Sequence, residues 1–328
     1  MNDDVILVTG AAGFVGGHLL SSLISNKPSV QIVAWRRPRT SFSKKETRHN
    51  SQLKQIFWQD VDLLDRSNVT RSMNDFSPSH VYHLAGVANV GGSWNNALKT
   101  LEVNVVGTDN LLRIIRKKSP DARILIPGSA LIYQPTNDAI TENHPIGPVN
   151  PYGISKLAQE ILARRFSDDG LPVLLTRSFT HLGPRQDLSY AASSFAYQIA
   201  EIEAGRAAPV LQVGNLDARR DLLDVRDTVR AYQDLMISGI PGKPYNVCSG
   251  RAHEIKTIVR TLLKLSRIPI SVQQDATRLR PSDHSCLLGD RERISSELGW
   301  NPQIPLKKTL LDILEYWRQE IKTVENPI

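Results

Sequence analysis

The chain has 328 residues, of which 41% are hydrophobic and 22% charged, so it is long enough to bury a core and too apolar for a disordered or fibrous protein. No apolar run approaches the ~18 residues that span a bilayer, and the first residues are acidic where a secretion signal is basic, so we expect a cytoplasmic protein without a membrane partner. The formal net charge of +7 indicates an anionic partner, either a nucleic acid or a small polyanionic ligand.

Strands and helices alternate over the first half of the chain. Short β-branched runs predict strands at 5–8, 30–35, 55–58, 81–84, 124–127 and 173–176. Amphipathic periodicity predicts helices at 14–24, 94–118 and 152–167. Such alternation predicts an α/β fold of the Rossmann type, a doubly wound parallel sheet with helices on both faces.

The rhythm changes after about residue 177, where loops rich in Gly, Pro and Arg separate shorter helices. A helix at 224–236 and a strand at 245–247 still fit the first pattern, so the chain is expected to return to the first lobe once. We therefore predict a cofactor-binding lobe from 1–178 and 224–250. A smaller, interleaved α/β lobe from 179–223 and 251–328 would bind the substrate.

A glycine-rich loop follows the first predicted strand and opens the first helix. Gly10 and Gly13 allow a sharp turn and close approach to a pyrophosphate, and Gly16 allows the helix to pack on the strand. The N–H groups of the helix start, with Phe14 and Val15, would face the negative charge. The loop predicts a dinucleotide site, and a purely structural turn is the alternative.

The end of the second predicted strand carries Arg36 and Arg37 where an NAD site usually has a carboxylate. Arginine attracts a 2′-phosphate, which favours NADP(H), with NAD(H) as the second candidate. The alternative is a solvated basic loop. Further on, Asp62 and Leu63 are placed to border the adenine ring, with the acid accepting from the exocyclic amine.

A candidate catalytic group combines Ser129, Tyr152 and Lys156. Tyr152 and Lys156 are four residues apart, so on a helix they share one face, where the ammonium is expected to lower the pKa of the phenol. The phenol then becomes a usable acid or base. Ser129, at the end of the fifth strand, would hydrogen-bond the substrate oxygen.

Together with the glycine loop and the Tyr152–Lys156 pair, the segments 83–86 and 104–108 resemble the extended short-chain dehydrogenase/reductase family, and the resemblance covers nearly the whole chain. It implies that Leu84, Ala85 and Gly86 border the nicotinamide. It also implies that Asn104 supports the site from its helix. In relatives, helices equivalent to 94–118 and 152–167 pair two subunits, so a homodimer is expected.

Segments of the second lobe are similar to the branch of this family that handles GDP-mannose derivatives. That resemblance implies a GDP-linked sugar, contacted by these residues: Ser93, Thr180, Arg220, Arg280 and Asp283. The two arginines suit a diphosphate, and Asp283 a ribose hydroxyl or the guanine edge. Thr180 departs from the asparagine that family members often have.

Leu131 stands where the sugar 4,6-dehydratases of the family have a carboxylate that removes a proton. A leucine cannot do so, which leaves reduction or epimerisation. Of these two, the resemblance to the GDP-mannose branch implies the NADPH-dependent reduction of GDP-4-keto-6-deoxy-D-mannose to GDP-D-rhamnose.

Three alternatives stay open. They are a nucleotide-sugar epimerase, a reductase of another NDP-4-keto-6-deoxyhexose, and a non-catalytic NADP- or RNA-binding protein. The basic residues are scattered and only 6% of residues are aromatic, so we expect no nucleic-acid partner. Cys248 and Cys286 lack metal-site spacing, so we expect no metal.

Overall fold

A computed structural model describes residues 5–27, 29–38, 56–278 and 285–325. In chain order the strands are β1 (Val5–Thr9), β2 (Gln31–Arg36), β3 (Ile56–Asp60), β4 (His80–His83), β5 (Arg123–Ser129), β6 (Val173–Ser178), β7 (Thr180–Leu182), β8 (Val210–Val213), β9 (Arg219–Asp224), β10 (Pro244–Val247), β11 (Ala252–Glu254), β12 (Ser271–Gln274) and β13 (Cys286–Leu287). The helices are α1 (Phe14–Asn26), α2 (Arg66–Ser72), α3 (Val90–Ser93), α4 (Ala97–Leu101), α5 (Gly107–Lys118), α6 (Pro151–Asp168), α7 (Ala191–Glu203), α8 (Val225–Ser238), α9 (Ile255–Leu265), α10 (Glu292–Leu298) and α11 (Leu306–Glu325).

Seven parallel strands form the central sheet, in the order β3-β2-β1-β4-β5-β6-β10. Helices cover both of its faces. Leu19 and Leu23 of α1 and Leu235 of α8 belong to one buried cluster, and Leu111 of α5 and Phe166 of α6 belong to the other. The predicted doubly wound Rossmann-type fold is confirmed. The strand order reverses between β1 and β4, and in such sheets this reversal opens a crevice at the carboxyl ends of the strands.

The prediction of a single helix at 94–118 is wrong, because the structure divides this segment. Helix α4 ends at Leu101, a π-helical turn spans Glu102–Val106, and α5 continues from Gly107. The wider turn accommodates an extra residue, so side chains before and after it face different neighbours. Asn104 is buried and lies within this turn. Its side-chain amide accepts from the N–H of Val87 and donates to the Val87 carbonyl.

The second lobe contains two small sheets. Strand β9 pairs with β7, β11 and β13, while β8 pairs with β12. A separate core joins α7, α9 and α11 through Ala196, Leu262 and Leu314. Strand β10 lies in the central sheet, as its predicted return requires, but the residue boundaries of the two lobes stay a prediction. Within the described ranges, no helix combines the length and apolar character needed to cross a membrane.

A buried ion pair links α6 to the central sheet. Arg177 of β6 makes two hydrogen bonds to Glu160 of α6, at 2.7 and 3.0 Å, and both side chains are only 5% exposed. The same guanidinium donates to the Tyr133 hydroxyl at 2.9 Å, and that hydroxyl donates to Asn246 of β10. Because these charges are shielded from water, the geometry of α6 against β6 and β10 is closely defined.

We predict that Arg177→Met destabilises the fold by about 3–5 kcal/mol, because Glu160 would remain buried without its charged partner. Arg164→Met is the matched control, since Arg164 contacts the same carboxylate at 3.4 Å but is 44% exposed. Its loss should cost at most about 1 kcal/mol. Urea unfolding of both variants measures the difference, and equal losses would contradict the assignment.

Candidate active site

A cavity of about 640 Å³ opens at the carboxyl ends of β1 to β4, at the reversal of strand order. Its lining residues are Thr9, Gly10, Ala12, Gly13, Trp35, Arg36, Arg37, Pro38, Val61, Asp62, Leu63, Leu64, Leu84, Ala85, Gly86, Lys99 and Val103. Nine of the predicted cofactor residues are among them. Phe14, Val15, Gly16, Asn104, Tyr152 and Lys156 do not line this cavity.

The glycine loop has the backbone that a dinucleotide site needs. Gly10 has φ +66°, and a Cβ there would lie 2.6 Å from the backbone nitrogen of Ala85. A Cβ on Gly16 would lie 2.4 Å from the carbonyl oxygen of Gly10, so α1 packs directly on the loop. Among the described residues, Gly13 precedes α1 without supplying a side-chain cap to its first turn. An open helix start beside a cavity suits a pyrophosphate, so the loop fits the group.

Phe14, Val15 and Gly16 lie behind the loop in the first turn of α1. The Phe14 ring stacks on the His181 ring of β7, with centroids 6.1 Å apart. Phe14 therefore connects the loop to the second lobe. A cofactor contact from its side chain stays a prediction.

The edge of the cavity at β2 is basic. The Arg36 guanidinium donates to Asp60 at 2.5 Å and lies over the Trp58 ring, whereas Arg37 is exposed. Lys99, which the sequence pattern did not reveal, also lines the cavity and is 58% exposed. A cation of this kind is recognisable only once α4 is placed beside the cavity. These side chains suit a phosphate on the ribose.

Asp62 and Leu63 line the cavity after β3, next to Arg36, and their contact with adenine stays a prediction. The carboxylate of exposed Asp62 accepts from the backbone N–H of Leu64 at 3.0 Å. The carbonyl of Leu63 accepts from the Asn110 amide at 2.9 Å, which fixes this turn to α5. The carboxylate thus has a structural role, and any contact with adenine is additional to it.

Leu84, Ala85 and Gly86 continue from β4 into the cavity. The N–H of Leu84 donates to the Thr9 carbonyl at 3.1 Å, and that of Ala85 to the Thr9 hydroxyl at 3.2 Å. Asn104 supports the segment from behind, because its amide exchanges hydrogen bonds with the backbone of Val87 and donates to Ser155 of α6 at 2.9 Å. Asn104 therefore connects the cavity wall to α6, the helix that carries Tyr152 and Lys156.

The structure brings the predicted catalytic residues together. Ser129 ends β5, and Tyr152 and Lys156 lie one turn apart on α6, which Asn150 caps. The Ser129 hydroxyl bonds to Tyr152 and accepts from the Leu131 N–H at 3.2 Å. Tyr152 and Lys156 are both half-buried, so a reaction on this helix face would be partly shielded from water.

The charge states differ from the sequence expectation. Burial raises the pKa of Tyr152, reinforced by Tyr190, and the hydrogen bond from Ser129 only partly opposes that rise. Burial also lowers the pKa of Lys156 to about 8, although Glu160 acts in the opposite direction. The pKa of the phenol is therefore raised rather than lowered, and the Lys156 ammonium donates to the side-chain oxygen of Gln159 at 2.5 Å.

The predicted substrate residues differ from one another in burial and in hydrogen bonding. Ser93 is fully buried and its hydroxyl donates to the Val90 carbonyl at 2.6 Å, so it presents no surface to a sugar. Thr180 begins β7 and is half-buried, and Arg220 lies in β9 with a bond to the Arg219 carbonyl. Arg280 and Asp283 lie outside the described residues.

Tyr190, which carries no sequence signal of its own, acts electrostatically on Tyr152, and its hydroxyl donates to the carbonyl of Ala88.

The fold and this site define an enzyme that works on a bound dinucleotide, and comparison with known proteins identifies the family. Residues 7–313 match the family model described as GDP-mannose 4,6 dehydratase. The chain therefore belongs to the extended short-chain dehydrogenase/reductase family, in the group that this model describes. It is accordingly an enzyme of the NAD(P)-dependent oxidoreductase type.

Particular relatives narrow the comparison. The chain is 31% identical to GDP-6-deoxy-D-mannose reductase of Pseudomonas aeruginosa, over 97% of this chain and 98% of that protein. The solved structure of RMD from Pseudomonas aeruginosa complexed with NADPH has a TM-score of 0.82 at 30% identity and covers 97% and 99% of the two chains. The chain is also 26% identical to UDP-glucose 4-epimerase of Bacillus subtilis, with 97% of each chain covered.

We predict that Gly10→Ala weakens dinucleotide binding at least tenfold, because its Cβ would meet the backbone of Leu84 and Ala85. Gly205→Ala is the matched control, since Gly205 has φ +72° but an added Cβ would meet no described atom within 4 Å. It should cost only the ~1 kcal/mol of the left-handed backbone. Titration of nicotinamide fluorescence with NADPH measures binding, and equal affinities of the two variants would contradict the prediction.

Proposed function

We propose that the protein is an NADPH-dependent 4-ketoreductase that converts GDP-4-keto-6-deoxy-D-mannose to GDP-D-rhamnose. The observation that carries the proposal is Leu131, which follows Ser129 in a buried 3₁₀ turn and packs among apolar side chains. A dehydratase needs a carboxylate there to remove a proton, and Leu131 has none. The similarity to GDP-6-deoxy-D-mannose reductase supports the reductive alternative.

NADP(H) is the proposed cofactor, with NAD(H) as the second candidate. The glycine loop would hold the pyrophosphate, Arg36 and Arg37 the 2′-phosphate, and Asp62 with Leu63 the adenine. Support comes from the lining of the cavity and from the similarity to the structure of RMD complexed with NADPH. Leu84, Ala85 and Gly86 would border the nicotinamide. When bound, the cofactor would supply the hydride that reduces the C4 carbonyl.

The side chains of α6 and β5 would manage the proton. Tyr152 holds a proton at its hydroxyl across the working pH range, because burial raises its pKa. It is therefore suited to donate that proton to the oxygen that becomes an alkoxide. The Ser129 hydroxyl would turn its one proton from Tyr152 to the same oxygen and donate a hydrogen bond to it. Lys156 would lower the cost of the phenolate that remains and hold the nicotinamide ribose.

The GDP moiety is proposed to bind in the second lobe. Thr180 and Arg220 come from β7 and β9, which are neighbours in one sheet and lie beside the carboxyl end of β6. Arg220 would contact the diphosphate, as would Arg280, and Asp283 would accept from the nucleoside. Ser93 could reach the sugar only after its bond to Val90 breaks, so it is the weakest member of the proposed set.

Epimerisation is the second candidate, and the similarity to UDP-glucose 4-epimerase favours it. An epimerase returns its hydride to the same sugar, so it consumes no NADPH. A reductase oxidises one NADPH for each sugar reduced. Measuring NADPH oxidation with a panel of GDP-, dTDP-, UDP- and CDP-linked 4-keto sugars separates these candidates and identifies the nucleotide.

We predict that Tyr152→Phe lowers kcat for NADPH oxidation at least a hundredfold, because the phenyl ring has no proton to donate. The Kd for NADPH should change less than threefold. Tyr197→Phe is the control, since Tyr197 packs against Trp317 in the second lobe. Turnover by Tyr152→Phe within tenfold of the wild type would overturn the assignment.

We predict that Arg37→Ala reduces the preference for NADPH over NADH at least tenfold, because the exposed guanidinium at the cavity edge would no longer meet the 2′-phosphate. The KM for NADH should stay within twofold. Arg71→Ala removes an exposed arginine of α2 away from the cavity and serves as the control. An unchanged cofactor preference in Arg37→Ala would contradict the prediction.

We also propose a homodimer that pairs α4, α5 and α6 of two copies. Leu98 of α4 is 83% exposed and Ile161 of α6 is 61% exposed, and Val106 and Ile154 are exposed nearby in the chain. Apolar surface of this kind is typical of a subunit interface. Light scattering should give twice the 36.6 kDa chain mass, and Ile161→Glu should reduce it to one chain. A monomeric wild type would refute the pairing.

A further inference from the structure

A chain of buried hydrogen bonds leads from Lys156 back to the first strand. The Lys156 ammonium donates to the side-chain oxygen Oε1 of Gln159 at 2.5 Å. The side-chain nitrogen Nε2 of Gln159 donates to the Thr108 hydroxyl at 2.7 Å. The Thr108 hydroxyl is 2.9 Å from Nε2 of His83, whose Nδ1 is 2.8 Å from the Thr9 hydroxyl. Gln159, Thr108, His83 and Thr9 are each at most 2% exposed.

The direction of each bond follows from its neighbours. Thr108 has one hydroxyl proton, and it donates that proton to the Asn104 carbonyl at 2.7 Å. Nε2 of His83 must then be the donor to Thr108, which leaves Nδ1 to accept from Thr9. The Thr9 hydroxyl in turn accepts from the N–H of Ala85. This arrangement satisfies the donors of the chain, and it fixes which end of the Gln159 amide faces Lys156.

The chain stays uncharged beside the ammonium. Burial, assisted by the charge of Lys156, lowers the pKa of His83 to about 3, so the imidazole is neutral at any working pH. A neutral histidine has one donor and one acceptor nitrogen, as the chain requires. The side-chain oxygen of Gln159 therefore faces Lys156, and His83 adds no positive charge that would repel the ammonium.

We propose, on the basis of the reductase function above, that Gln159 is a positioning residue that holds the Lys156 ammonium in place on α6, one turn after Tyr152. Thr108, His83 and Thr9 hold Gln159 in the orientation that this requires. The charged neighbour of Lys156 is Glu160, whose two oxygens already accept hydrogen bonds from Arg177. Tyr152 lies one turn earlier on the same helix and is neutral. Gln159 is thus the described side chain that meets the ammonium directly.

Residue chemistry explains why glutamine is required. Glutamate at this position would accept from Lys156 but, when ionised, could not donate to Thr108. Methionine would fill the same space and could do neither. The two substitutions therefore change the electrostatic environment of the ammonium in opposite directions. If Gln159 merely filled space, Gln159→Met would leave the pKa of the ammonium unchanged, so the methionine variant is the decisive one.

The experiment compares the pH dependence of kcat/KM for NADPH-dependent reduction in the wild type, Gln159→Met and Gln159→Glu. The pKa of Lys156 is lowered to about 8, so wild-type kcat/KM should fall above about pH 8 as the ammonium is lost. Gln159→Met removes an acceptor that stabilises the ammonium, so this limb should move about one pH unit lower. Gln159→Glu adds a negative charge, so the limb should move higher.

Two further variants separate positioning from stability. Thr108→Val leaves Gln159 in place but removes its anchor, and should move the limb in the same direction as Gln159→Met by a smaller amount. Gln198→Met removes a part-buried glutamine that bonds to the Gln212 backbone and Ser194, and should leave the limb unchanged. If the limb of Gln159→Met lies at the same pH as that of the wild type, the proposal is overturned, whatever the shift in Gln159→Glu.

A second measurement does not need the substrate. The Lys156 resonance in ¹³Cε-lysine NMR spectra, assigned as the signal missing from Lys156→Arg, gives the pKa of the ammonium in the protein alone. Opposite movements in Gln159→Met and Gln159→Glu would support the positioning role even if no GDP-linked sugar is reduced. Lack of turnover in the wild type would instead refute the proposed function. An unmoved Lys156 resonance in both variants would refute the inference about Gln159.

Discussion

The close approach of two backbones at Gly10 is the constraint on which the site depends. β1 and β4 are neighbours at the point where strand order reverses, and the segment after β4 passes so near Gly10 that no Cβ fits between them. That contact places Leu84, Ala85 and Gly86 on one wall of the cavity and the glycine loop on another. A larger residue would push the walls apart, and the pyrophosphate and nicotinamide ends of a dinucleotide would no longer meet them together.

Two buried carboxylates help to join the second lobe to this arrangement. Asp224, buried at the start of α8, accepts from Arg226 and from the Thr309 hydroxyl of α11. Asp221 of β9 is fully buried and accepts from the backbone of Ser249, Gly250 and Gly289. Both carboxylates connect segments that are far apart in the chain. The sheet that carries Thr180 and Arg220 is therefore fixed to the cofactor lobe by bonds to backbone groups.

Local features were predictable from the sequence, and long-range contacts were not. The strand, glycine loop and helix at residues 5–26 are encoded in adjacent residues, as is the one-turn spacing of Tyr152 and Lys156. The contacts of Lys156 depend on side chains from separate elements, since Gln159 and Thr108 are 51 residues apart and Thr9 and His83 are 74 apart. The π-helical turn at 102–106 was also missed, because its apolar periodicity differs from a regular helix by only one residue.

Helix α6 carries the proposed catalytic residues and a structural residue on one side. Tyr152, Lys156 and Glu160 recur every four residues, so a rotation of the helix about its axis would move all three together. The hydrogen bonds from Arg177 to Glu160 consequently help to set the angular position of Tyr152 and Lys156, the two side chains proposed to react. Repacking this helix for greater thermal stability would then change proton transfer as well. The surface of α6 that faces the sheet has little freedom to vary, and its opposite surface is where evolution can act without altering the chemistry.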